Sequence, residues 1–213
     1  MKSLLIFPAQ WYPTQPYLST PYLCAYLKEK GWDVSQRDFN IESYDNFLSV
    51  ALIEKATSKI ENRLATLKEK KSFSIKEKSL MDVLATGLKF APTIISGVDE
   101  AKQVMRTPDL FFDFESYKQA DLIIKSALKL ISDAYSPSIL TLSTFESGTR
   151  AEESTQRAAE VTRNEDINPF LDLYEGVLLP SEQWEDYGLV GISIVGISQI
   201  LPGLTLARML KEK

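Results

Sequence analysis

The chain has 213 residues, of which 44% are hydrophobic, so it can bury a core as one large domain or a domain with an insertion. Its formal net charge of -5 argues against a nucleic-acid surface. With no histidine, it cannot supply a Ser-His-Asp triad, an imidazole metal ligand or an imidazole base. Cys24 alone permits neither an internal disulfide nor an iron–sulfur cluster held only by this chain's cysteines.

The start, MKSLLIFPAQ, is too short and too soon broken by Pro8 for a secretory signal. No run approaches the ~20 apolar residues of a membrane span. A cytoplasmic protein is the default expectation, with no membrane and no nucleic acid among its partners.

Ser3–Phe7 reads as a buried strand ended by Pro8. The loop Ala9–Pro16 (AQWYPTQP) follows, stiffened by two prolines that fix φ. A helix is predicted from Ser19 to Lys30, with Leu23, Tyr26 and Leu27 on one face. Ser19 or Thr20 can cap it and Gly31 stops it. Trp32–Arg37 is a second strand, with Val34 its clearest buried position. Strand, helix and strand make a right-handed βαβ unit.

From about Asn40 the pattern turns helical. Leu52, Ala56, Ile60, Leu64 and Leu67 mark one stripe within Leu48–Lys70. Ser74 to Glu77 is a capping box opening a helix that holds Leu80, Leu84, Leu88 and Ala91, and Pro92 is expected to end or kink it. Ile94, Val98, Ala101 and Met105 form another stripe, and Tyr117 to Tyr135 a longer one. Ser138–Thr144 is either an edge strand or a loop. Asn168-Pro169 looks like an N-cap with Pro at the first helical position, with Phe170, Leu173, Tyr174 and Val177 facing inward. The basic run Lys68–Lys78 reads as a solvated helix junction, and Glu152-Glu153 and Glu185-Asp186 as surface charges.

Leu189–Ile194 is an uncharged, β-branched run expected to be a strand buried on both faces of a parallel sheet. The small, polar Gly196-Ile197-Ser198-Gln199 comes next, then a helix from about Leu201 with Leu204, Ala207 and Leu210 as its apolar residues. The expected architecture is therefore α/β: a parallel sheet of about three strands from residues 1–45 and 180–213, its order taken as 2-1-3. An all-helical insertion covers 46–179.

With that order, the loops Pro8–Pro16 and Val195–Gln199 flank the topological switch point, where open α/β sheets bind ligands. Ser193, Ser198 and Gln10 or Gln199 can hydrogen-bond a ligand there. Trp11 and Tyr12 can stack on a flat one, or simply lid the sheet end. Gly196 either lets a ligand approach closely or is a plain turn glycine. No phosphate fingerprint is present: Gly191 and Gly196 are too far apart for G-x-G-x-x-G. Cys24 reads as a buried, inert thiol. Nothing assembles an acid/base pair, which disfavours a free-standing hydrolase or transferase.

Two pieces carry a family resemblance: LLIFPAQWYPTQPYLSTPYLCAYLKEKGWDV with RDFNIESYD, and NPFLDLYEGVLLP with LVGISIVGISQILPGLTLARMLK. In these, and in their order, the chain resembles the N-terminal cobalamin (B12)-binding-type domain of B12-dependent radical S-adenosylmethionine (SAM) enzymes. That group includes anaerobic-type magnesium-protoporphyrin IX monomethyl ester cyclases and peptide-maturation methyltransferases.

The resemblance implies a Rossmann-like, flavodoxin-type fold holding cobalamin at the carboxyl strand ends. The site residues would be Pro8, Gln10, Trp11, Tyr12, Ser193, Val195, Gly196, Ser198 and Gln199. It further implies a 4Fe-4S cluster and S-adenosylmethionine in the full-length parent, where the catalysis would lie. The chain departs from the family in lacking the C-x-x-x-C-x-x-C cluster motif and any histidine lower ligand for cobalt. Two further strands of a five-stranded domain are also not seen, so a truncated fragment is expected. Leu189–Ile194 would then be an uncovered edge, and a homodimer across it is expected. The alternative is a stand-alone interaction or small-ligand-binding module that has lost cobalamin binding.

Overall fold

The computed structural model describes residues 1–151 and 154–212. The chain divides into two compact units, Met1–Asn46 with Leu142–Lys213, and Phe47–Thr141.

The first unit carries a parallel sheet of β1 (Ser3–Phe7), β2 (Val34–Asp38) and β3 (Leu189–Ile192), in spatial order β2-β1-β3. The register sets Ser3 beside Val34 and Leu189, and Leu5 beside Gln36 and Gly191. The central strand is buried throughout, as a strand flanked on both edges must be. β3 corrects the expectation of burial on both faces. Leu189 is half exposed and Val190, Gly191 and Ile192 are only partly covered, because β3 is the sheet's edge.

Helix α1 (Ser19–Glu29) connects β1 to β2 and buries Thr20 and Cys24. Cys24 packs with Leu5, Val34 and Leu27, and its thiol lies 3.7 Å from the Val34 carbonyl. The predicted apolar face is therefore misplaced by one position: Leu23 and Tyr26 are exposed, and only Leu27 packs inward. Neither Ser19 nor Thr20 caps the helix; its N-cap is Leu18, with no side-chain bond. Gly31 does end it, at φ +80, a region open to glycine at low cost.

Helix α2 (Phe39–Phe47) starts directly from β2, with Asp38 Oδ1 accepting from the amides of Asn40 and Ile41. In the second unit, α3 (Val50–Lys68), α4 (Ile75–Arg106) and α6 (Phe114–Ala134) pack pairwise, with the short α5 (Pro108–Phe111) between the last two. The α3 stripe is Ile53, Ala56, Ile60 and Leu64. The Ser74–Glu77 capping box is formed. Pro92 does not end its helix: α4 runs through it for 32 residues, burying Leu84, Ala91, Ile94, Val98 and Ala101 along one stripe. That continuous buried face outweighs the one backbone bond that proline removes. Arg63 donates to the carbonyls of Ala134 (2.8 Å) and Ser136 (2.9 Å), satisfying acceptors at the end of α6. Within Ser138–Thr144, only Ile139–Leu140 is extended.

The helical unit thus ends at Thr141 rather than 179. Residues beyond it belong with the sheet for a packing reason. Phe145, Phe170, Tyr174 and Phe39 form a buried chain of rings with centroids 5.0, 5.9 and 6.3 Å apart. Helix α7 (Thr155–Val161) and α8 (Pro169–Leu173) lie here, with Asn168 capping α8 and Pro169 at its start, as predicted. Asn168 Nδ2 also donates to Thr205 Oγ1 (2.9 Å) on α9 (Ile200–Lys211). This bond helps turn the α9 face. Leu201, Thr205 and Leu206 are buried, whereas the predicted Leu204 and Ala207 are exposed and Leu210 is half-buried. Glu185-Asp186 is exposed, while Glu152-Glu153 lies outside the described residues. Among the described residues, no helix is long and apolar enough to cross a membrane.

Candidate functional site

Pairing of β1 with β3 places the two predicted loops side by side at the carboxyl ends of adjacent strands. The ladder continues one step beyond β3, where the Ser193 amide donates to the Ile6 carbonyl (2.9 Å). Gln199 then ties the loops together. Its Nε2 donates to the Pro8 carbonyl at 2.8 Å, and its Oε1 accepts from the Val195 amide at 3.0 Å. Gln199 is fully buried and both ends of its amide are occupied. Ser193 is likewise engaged, its hydroxyl 3.0 Å from that of Ser19 on α1. These two residues hold the site together rather than lining it.

Trp11 packs over the second loop. A Cβ on Gly196 would stand 3.4 Å from the indole ring. Gly196 has an extended φ of -135, so its value here is close approach rather than a left-handed turn. The indole is braced edge-on by Tyr17 (5.4 Å) and Tyr12 (6.3 Å), and its Nε1 donates to the Gln15 carbonyl. Tyr17 in turn stacks on Phe7 (5.5 Å). Tyr12, Val195 and Ile197 are exposed and Ser198 half-exposed, so these four form the accessible rim.

Below the rim, Gln10 adopts φ +79, rare for a residue with a Cβ, and is buried. Its side chain hydrogen-bonds the Tyr44 hydroxyl, whose pKa burial drives well up and this bond partly restores. Its Oε1 has no partner, nor has the buried Ser43 hydroxyl. Asn40 Oδ1 accepts from the Trp11 amide (2.8 Å), fixing the loop from α2. Asn40 and Tyr44 lie in the piece RDFNIESYD that carried the resemblance, but nothing in their spacing announced that they shape the loop. Arg37 sits over the Phe39 ring (4.7 Å) and pairs with Glu42 and Glu182, anchoring the base of α2.

The two loops contain no charged residue. Together they present aromatic and aliphatic surface, a hydroxyl, and beneath them a buried amide oxygen free to accept a hydrogen bond. Such a set of groups suits a flat, uncharged ligand fringed with hydrogen-bonding groups. Among the described residues no group of acidic or cysteine side chains is arranged to hold a metal.

The helical unit has a cleft of its own, about 560 Å³, between α4 and α6, lined in part by Val83, Phe90, Leu130, Lys129 and Asp133. Burial pushes the Asp133 carboxyl up, opposed by its ion pair with Lys129. Comparison of the chain with family models, curated proteins and solved structures returns no match.

Proposed function

We propose that the sheet-bearing unit is a flavodoxin-type, cobalamin-binding-type domain of a cytoplasmic B12-dependent radical SAM enzyme. The observation that carries this reading is the meeting of two uncharged loops, Pro8–Pro16 and Val195–Gln199, at the carboxyl ends of neighbouring parallel strands. Tyr12, Val195, Ile197 and Ser198 would take the corrin face and its amides, and Gln10 Oε1 would accept a hydrogen bond from beneath. Gln199, Ser193, Trp11 and Gly196 would hold the loops in place. Bound cobalamin would supply a methyl carrier. The chemistry itself, methyl transfer or cyclase-like, would sit in a downstream domain with a 4Fe-4S cluster and S-adenosylmethionine.

The test is titration with hydroxocobalamin, followed by corrin absorbance and by quenching of indole fluorescence. Saturable binding that Tyr12→Ala weakens and Ile197→Glu abolishes is expected. Absence of saturation, in a chain shown to be folded by circular dichroism, overturns the reading. The second reading, an interaction module without cofactor, draws on the exposed aromatic residues of α1 and predicts that same absence.

A further inference from the structure

Three locally unfavourable choices meet in the cleft between α4 and α6. Gly87 lies in the interior of the 32-residue α4, where glycine weakens a helix. Packing does not demand it: a Cβ there would stand 3.2 Å from Leu130 Cδ1, the movable end of a side chain, and 3.7 Å from Asp133 Oδ2. Asp133 is a buried carboxyl, and burial pushes its pKa up. It also stands in the last turn of α6, where the helix dipole disfavours an anion and favours a cation. Lys129 bonds Asp133 through Oδ1, while Oδ2 is the atom beside Gly87. The Asp133 side chain keeps 11% of its surface exposed, and the side chain that Gly87 lacks leaves the carboxyl open to the cleft. Val83 and Phe90, one turn to either side of Gly87, form exposed apolar walls over the buried Leu130 and Ile94. At about 560 Å³ the cleft has the size of a small-molecule site. Broken local rules that coincide in one cavity mark function rather than folding.

The charges select the sign of the ligand. Both lysines of the lining are already paired, Lys125 with Asp121 (2.7 Å) and Lys129 with Asp133. Asp82 then leaves the lining and these partners with a negative charge in excess. We propose that the cleft binds a small amphipathic amine, its ammonium at Asp133 Oδ2 and its apolar body against Leu130, Val83 and Phe90. Lys129 is 64% exposed, so water weakens its hold on the carboxylate and the ligand can share or take that oxygen pair. The ligand's ammonium, covered by its own apolar body, pairs in a drier setting. The Phe90 ring offers a face on which a cation can rest. Phe90 lies three residues from Gly87, or about 4.5 Å along the helix axis, so two or three carbons between amine and apolar body suit the site.

The cleft lies wholly within Phe47–Thr141. Its test is read there and is indifferent to whether the chain binds cobalamin. Phenethylamine, 2-phenylethanol and phenylacetate, alike in size, are titrated into the whole chain and followed by amide and methyl NMR shifts. Phenethylamine should saturate with a Kd on the order of 1 mM, as suits so small a ligand, with shifts centred on Gly87 and Leu130. The alcohol and the acid should bind about 10-fold more weakly or worse. Asp133→Asn should weaken the amine about 10-fold, as loss of a bond to a charged group does, and leave the alcohol unchanged. Phe90→Ala, at an exposed position, should weaken both. Equal binding of amine and alcohol by the wild-type chain overturns the proposal, as does preference for the acid, which would assign the cleft to anions held by Lys125 and Lys129. So do shifts scattered outside the cleft, or amine binding indifferent to Asp133→Asn.

Discussion

The side-chain amide of Gln199 bonds the backbone of Pro8 across 191 residues of chain, at 2.8 Å. It grips both loops of the candidate site, bonding Pro8 in one and Val195 in the other. Replacing it by leucine leaves the buried Pro8 carbonyl and the part-buried Val195 amide without these partners, at a cost of about 1–3 kcal/mol. For a chain of this size that is a fall of roughly 2–4 °C in Tm per kcal/mol, measurable by calorimetry.

Gln199→Glu is the sharper change. An ionised carboxylate still accepts from Val195 but cannot donate to Pro8. Buried, its pKa rises, so the variant's deficit should be small at acid pH and grow as pH rises through that pKa. Thermal melts across the pH range check this; a deficit independent of pH would mean that the glutamate escapes to solvent.

Asn168 spends its whole amide internally, on Phe170, Val161 and Thr205. Asn168→Asp keeps the cap but loses the donor to two buried acceptors, and Asn168→Ala loses both. Urea denaturation should rank them wild type, Asp, then Ala, with the alanine variant about 2–3 kcal/mol below wild type.

Glu77 and Asp133 should respond to pH with opposite signs. The bond from Lys70 and those from Ser74 hold Glu77 down from its ordinary 4.5 to about 2. A depressed folded pKa means that its contribution is present above 4.5 and lost as pH falls toward 2. Acid titration of helicity should show that loss in the wild type and not in Glu77→Gln.

Asp133 is raised by burial, so the folded state holds its proton more tightly than the unfolded one. Its contribution is full below the ordinary 3.8 and lost as pH rises through the folded value. Asp133→Asn should therefore be as stable as wild type at neutral pH or slightly more so, since the Lys129 left behind is well exposed. A stability loss above about 2 kcal/mol in that variant would show that the ion pair outweighs desolvation.

Much of this was legible along the chain because the signals are local. A capping box, an Asn-Pro start and a glycine stop are written within four residues of each other, and Ser74, Asn168 and Gly31 do what their neighbours dictate. The order 2-1-3 was assumed for the sheet rather than read from any residue pattern, and the pairing of β1 with both β2 and β3 bears it out. Faces were harder. Leu23 and Tyr26 are as apolar as Leu27, and only the position of the sheet decides that Cys24 and Leu27 go in. Pro92 signals a break to any local reading, yet packing along α4 overrides it.

The amino-acid order by itself determined which segments become strands and helices, and that two uncharged, small-residue loops follow β1 and β3, because backbone preference and hydrophobic period act over a few residues. Tertiary structure alone decided the duties within those loops. It made Gln199 and Ser193 braces, left Gln10 with a free buried oxygen, and brought in Asn40 and Tyr44 from α2. Which partner a polar side chain finds depends on what lies within 3 Å in space, and separations of up to 191 residues put that beyond any local pattern.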